Sequence, residues 1–153
     1  MKKGFSLVEI LVSIAIISIL SGIGISTFYA SRQRARLEED VSKIVMAIRR
    51  TQNAALAPSK SETGVGETET LYSMGVRING GNISKFYTTA TSPTNKRIYG
   101  NSNDLNYSSI NPNSVDFEFL VPFADTSGGS IRISNGGFSK IITVTNSGLI
   151  KVQ

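Results

Sequence analysis

The segment FSLVEILVSIAIISILSGIGISTFYAS, Phe5 to Ser31, is an apolar rod interrupted by one carboxylate at Glu9. From Ile10 to Ser31 there is no charged side chain, and these 22 residues, rising 1.5 Å each as a helix, span roughly 33 Å. That is about the hydrocarbon thickness of a bilayer. Gly22 and Gly24 weaken the second half of such a helix and make SGIGIS a place where it bends or loosens; glycine is tolerated there in lipid far better than in water. Of 153 residues, the rod leaves about 120 for a water-soluble part, enough for one modest core and too few to bury such a helix on every side.

Two bland accounts of the rod fit poorly. A cleaved secretion signal explains Lys2 and Lys3, but the apolar run is too long for one and no A-x-A site closes it. A plain membrane anchor has no use for Glu9, because an ionised carboxylate beside hydrocarbon needs a partner unless it snorkels to the interface. Charge counting leaves the orientation open: two lysines precede the rod, and Arg32, Arg34 and Arg36 follow it.

Gly4, Phe5 and Glu9, with the apolar run after them, resemble the type IV prepilin signal in its G-F-S/T-L-x-E form. That family comprises pilins of type IV pili and pseudopilins of type II secretion and competence systems. The resemblance implies a leader over 1–4 and cleavage by a prepilin peptidase between Gly4 and Phe5. It further implies N-methylation of Phe5, and an assembly role for Glu9 as partner of a neighbouring subunit's amino terminus. It also orients the chain as a single-pass inner-membrane protein with its C-terminal domain outside the cytoplasm. From there it enters a pilus or pseudopilus through an inner-membrane assembly platform and other pilin subunits. Many members carry a proline past the middle of this helix, where this chain has Ser26. RRTQNAALA and the ending ITVTNSGLIKV are similar to GspH/FimT-type minor pseudopilins.

Past Arg32 the composition turns polar while helical periodicity continues. Leu37, Val41, Ile44, Val45, Ile48 and Ala55 form one stripe. Arg36, Glu39, Asp40, Lys43 and Arg50 are placed largely on other faces, with Glu39 and Lys43 spaced for an i,i+4 pair. Pro58 ends the rod near Leu56 or Ala57. The helix therefore divides into a transmembrane or filament-core part over 5–30 and an amphipathic continuation over 31–57.

Residues 58–70, rich in Ser, Thr, Glu and Gly, read as a loop. Residues 71–153 read as an antiparallel β domain. LYSMGVRI and ISKFYTT flank a Gly-Gly turn, and VDFEFLV alternates Phe117, Phe119 and Val121 inward. SIRIS, FSKIITVT and LIKV, separated by NGG and NSG, make a C-terminal meander. TSPTNKRIYGNSNDLNYSSINPNS reads as turn-forming, with strand character only over Lys96 to Tyr99. The expected fold class is α+β and pilin-like, a long N-terminal helix packed on a C-terminal antiparallel sheet.

With no cysteine and no histidine, thiolate nucleophiles, disulfides, thiolate metal sites and the commonest general base are excluded. No phosphate-binding loop, dinucleotide fingerprint or nucleophile elbow is present, so neither an enzyme nor a cofactor is expected. Asp104, Asp116, Glu118 and Asp125 are oxygen donors whose irregular spacing does not make a calcium loop. The leading expectation is a structural subunit held first by the lipid bilayer and then by like subunits. A DNA-uptake pilin is the alternative; Lys85, Lys96, Arg97, Arg132, Lys140 and Lys151 are the candidate phosphate contacts for it, and they are dispersed along the chain. A membrane-anchored β domain that never assembles is the third.

Overall fold

The computed structural model describes residues 6–102, 105 and 109–153. Lys2, Lys3, Gly4, Phe5 and Asp104 lie outside the described residues. Helix α1 (Leu7–Leu56) is a single element of 50 residues, roughly 75 Å long, and its assignment is continuous through SGIGIS. It stops where Pro58 cannot continue it: Ala57 adopts a non-helical φ of −134° and its N–H donates to the Asn53 carbonyl at 3.2 Å.

The two halves of α1 meet different surroundings. Leu7, Ile10, Leu11, Ile14 and Ile17 are all at least half exposed, whereas Leu37, Val41, Ile44, Ile48 and Ala55 are buried. The amphipathic stripe is therefore the face on which the β domain docks. Glu39 and Lys43 meet at 2.8 Å across one turn. Asp40 departs from expectation. It sits three residues after Leu37 and four before Ile44, on the stripe itself, with 0% exposure and no hydrogen-bond partner for either carboxylate oxygen.

A one-turn helix, α2 (Lys60–Thr63), forms inside the polar segment after Pro58 and closes on Gly64 at φ 68°. The strands are β1 (Leu71–Asn79), β2 (Asn82–Thr89), β3 (Ser92–Ser102), β4 (Ser109–Asn111), β5 (Ser114–Leu120), β6 (Gly129–Asn135), β7 (Phe138–Val144) and β8 (Ile150–Val152). They divide between two antiparallel sheets ordered β3-β2-β1-β5 and β4-β6-β7-β8. The β1–β2 hairpin turns on Gly80 and Gly81 at φ 52° and 99°, the two positive values a tight hairpin turn demands. The meander β6-β7-β8 follows the reading of its turns, and Phe117 and Phe119 point inward as expected; Val121, in the turn beyond β5, is half-buried and packs against the core.

β3 is the element the sequence conceals. It runs 11 residues through a stretch rich in turn formers. As the outermost strand it is held by backbone pairing to β2, and with most of its side chains in water it needs no apolar alternation.

One core serves the whole molecule. Leu37, Val41, Ile44 and Ile48 of α1 pack with Met74, Val76, Phe117 and Phe119 of the first sheet and with Ile131, Ile133, Ile142 and Val144 of the second. The first sheet also buries a residue on its opposite face. Phe86 pairs in register with Gly75, and its ring lies across that glycine so closely that a Cβ there would collide with it. Lys96 Nζ stands 4.8 Å and Arg77 Cζ 5.8 Å from the ring centroid. Asp116 links these two cations, accepting from Arg77 at 2.7 and 2.8 Å and from Lys96 at 2.8 Å, while Lys96 also reaches Glu118 at 3.2 Å. Ser73 donates to Glu118, and its hydroxyl lies 2.7 Å from that of Thr88.

Two outcomes follow for the stability of the full chain in detergent. A buried carboxylate without a partner destabilises the fold, so Asp40→Asn raises stability by about 1–3 kcal/mol in thermal unfolding; a drop would show that the carboxylate is satisfied. Asp116 is held below the usual carboxylate range chiefly by the Arg77 hydrogen bonds; burial opposes them and Lys96 adds to them. A lowered folded-state pKa gives a contribution that is complete above the unfolded value, about pH 4, and lost as pH falls through the folded one. Asp116→Asn therefore lowers the Tm at neutral pH, and the gap to wild type closes in acid; a gap independent of pH contradicts this.

Candidate functional site

The N-terminus of α1 is organised around its first turn. Ser6 is extended at φ −76° and ψ 143°, and its carbonyl accepts from the N–H groups of Glu9 at 3.0 Å and Ile10 at 3.3 Å. Glu9 is the acidic residue of this turn, exposed and at the end of the helix where the macrodipole favours negative charge. Gly4 and Phe5, the expected cleavage and methylation positions, precede the described residues.

Two hydroxyls in the apolar half are satisfied within the helix. Ser13 Oγ donates to the Glu9 carbonyl and Ser18 Oγ to the Ile14 carbonyl, both at 2.8 Å, so these hydroxyls need no water. An 18-residue stretch of α1 has a mean hydropathy of 2.4, and none of it is buried by the rest of the protein. By length and composition the helix can cross a membrane.

The six basic residues singled out in the sequence do not share one surface. Lys96 is committed to Asp116 and Glu118 over Phe86. Arg97 pairs with Glu69 at 3.2 Å, and Lys140 with Glu38 of α1 at 3.0 Å. Arg132 and Lys151 are exposed on the outer face of the second sheet, since Ile131, Ile133, Ile142 and Val144 alternate inward around them. Lys85 lies on the opposite side of the first sheet from Lys96, facing a groove under α1 whose lining includes Lys43 and Arg50. This meeting of Lys85 with Arg50 was not legible from the sequence, because it needs the β1–β2 hairpin to fold back beneath the helix.

The acidic residues weighed as calcium ligands are likewise engaged or apart. Asp116 and Glu118 are in ion pairs, and Asp125 is exposed beyond β5. Among the described residues no group of three or more potential ligands converges.

No curated protein and no solved structure matches the chain. Residues 1–25 do match the model of the prokaryotic N-terminal methylation motif, which implies processing by a peptidase and assembly at a membrane. With that motif at the head of a long apolar helix packed on antiparallel β-structure, the molecule has the pilin-like α+β fold and is a pilin- or pseudopilin-like structural subunit.

Proposed function

We propose that the chain is a minor pseudopilin or pilin of a type II secretion pseudopilus or type IV pilus. The observation that carries this reading is the coincidence of the methylation motif with a helix whose first half nothing in the protein covers. Extraction of that half from lipid into water exposes apolar surface at about 25 cal/mol per Å², so the helix leaves the bilayer only by exchanging lipid for neighbouring helices. The second half, locked into the β core, carries the folded domain along.

In this reading a prepilin peptidase removes residues 1–4, cutting between Gly4 and Phe5, and Phe5 becomes the methylated first residue. The new amine is positive and lies four residues before Glu9. It gives that carboxylate a partner, on its own helix or on a neighbour packed with an axial offset. The C-terminal domain stands outside the cytoplasm, and the partners are the peptidase, like subunits and an inner-membrane assembly platform. The DNA-uptake alternative draws less support: three of its six candidate cations are bound to acids, and the others are split between the groove under α1 (Lys85) and the outer face of the second sheet (Arg132 and Lys151).

N-terminal peptide mass spectrometry on native membranes and sheared filaments tests this. The expected mature chain starts at Phe5 with one added methyl group and occurs in the sheared fraction; a start at Met1 in the native host overturns the reading. Glu9→Ala leaves membrane insertion intact and strongly reduces the amount in sheared filaments. Unchanged incorporation would remove Glu9 from the assembly step.

A further inference from the structure

We propose that the groove between α1 and the β2–β3 hairpin binds an acidic saccharide, a hydroxyl-rich body carrying a carboxylate or phosphate. The site uses the C-terminal half of α1, away from its exposed apolar half and from Glu9, and does not depend on filament assembly. α1 packs on β1, β5, β6 and β7, touches β2 more lightly, and leaves a groove toward the β2–β3 end of the first sheet. Two adjoining lobes result, of about 360 and 340 Å³, within the range of small-ligand sites. Arg50 and Lys85 line both lobes and therefore stand at their junction.

The charges at that junction are uncompensated. Lys96, Arg97 and Lys140 all hold acids, yet among the described residues the side chains of Arg50 and Lys85 are in no ion pair or hydrogen bond. A second observation concerns the wall of the same groove. Thr51 lines the second lobe, is 1% exposed, and its hydroxyl has no hydrogen-bond partner. Most buried hydroxyls are satisfied, so this one leaves an unpaired polar group just behind the groove wall that carries the two cations, and a small shift of the wall would bring it to a ligand.

The remaining walls select the ligand body. The first lobe has an apolar floor of Met46, Ala47 and Ile83, with Asn101 at its rim. Asn101 Oδ1 already accepts from Ser84 at 2.9 Å, which leaves its amide N–H groups to donate. The second lobe adds the Asn53 amide and Tyr99, whose half-buried ring leans on Tyr87 at 6.0 Å between centroids. Burial, and then the charge of Glu62, push the Tyr99 phenol up, so it stays a donor at neutral pH. Amides and hydroxyls that both give and take hydrogen bonds, beside an apolar floor and an aromatic ring, match a sugar; the two cations match its acidic substituent. Nucleic acid fits less well, because Glu62 stands in the wall and, among the described residues, two unpaired cations face the groove, few for a phosphate backbone.

The test is titration of the full chain in detergent micelles, at low salt, by calorimetry. The probes are a galacturonate trisaccharide, glucose 6-phosphate, maltotriose, inorganic phosphate and a single-stranded oligonucleotide. At least one acidic sugar is expected to bind more tightly than maltotriose and inorganic phosphate. Preference for the uronate identifies a polysaccharide source, and preference for the sugar phosphate a phosphorylated one. Arg50→Gln and Lys85→Gln each weaken binding by about tenfold or more, the scale of a lost charge-assisted hydrogen bond. Arg132→Gln, on the far sheet, leaves it unchanged. Thr51→Val lowers affinity while circular dichroism shows the fold intact. The proposal is overturned by absence of binding to both acidic sugars, by equal affinity for inorganic phosphate, by tighter binding of the oligonucleotide, or by weakening of binding in Arg132→Gln alone.

Discussion

Everything in this molecule depends on burial of one helical stripe. Leu37, Val41, Ile44 and Ile48 pack against the inner faces of both sheets, and with them α1 becomes a spine on which the two sheets are assembled. The stripe belongs to a helix far longer than the domain it anchors. One end is thus fixed by hydrophobic burial inside the chain, and the other presents the same chemistry to something else, lipid or neighbouring helices.

Division of labour along α1 follows from polarity alone. Between Ile10 and Ser31 there is no charge to orient the helix in water, and Ser13 and Ser18 bond back to their own helix. Beyond Arg32, charges return on the solvent faces and form pairs such as Glu39–Lys43 and Glu38–Lys140, the latter tying helix to sheet. Exposed pairs of this kind contribute little to stability, and their effect here is chiefly on register and solubility. The ionic cluster over Phe86 is a different case, because it shields a buried ring on a face that would otherwise be open to water.

Features carried by local chemistry were legible in the sequence. Pro58 marks the end of α1, the glycine pair after Asn79 marks the first hairpin, and NGG and NSG mark the meander. What required the fold was everything long-range or unpatterned. β3 is an edge strand whose pairing is backbone-made, so its side chains carry no signal. Asp40 breaks the apolar stripe that its spacing places it on, and a rule that sends charges outward puts it on the wrong face. The division into two sheets depends on which strands pair, and alternation is silent about that. For the candidate sites, Glu9 was visible because its spacing to Gly4 is local, whereas the junction of Arg50 with Lys85 is created only by tertiary packing.

Continuity of α1 has a further consequence, which concerns angle rather than length. With no break between Leu7 and Leu56, each residue advances the helix 1.5 Å and turns it about 100°, so the azimuth of the β domain about the helix axis is phase-locked to that of Glu9. One residue inserted in the exposed half swings the domain by about a third of a revolution while barely lifting it. Insertion of seven residues restores the azimuth to within about 20° yet raises the domain by roughly 10 Å. The sheets therefore face a direction dictated at the far end of the rod, and this chain carries its own compass bearing into whatever array receives it.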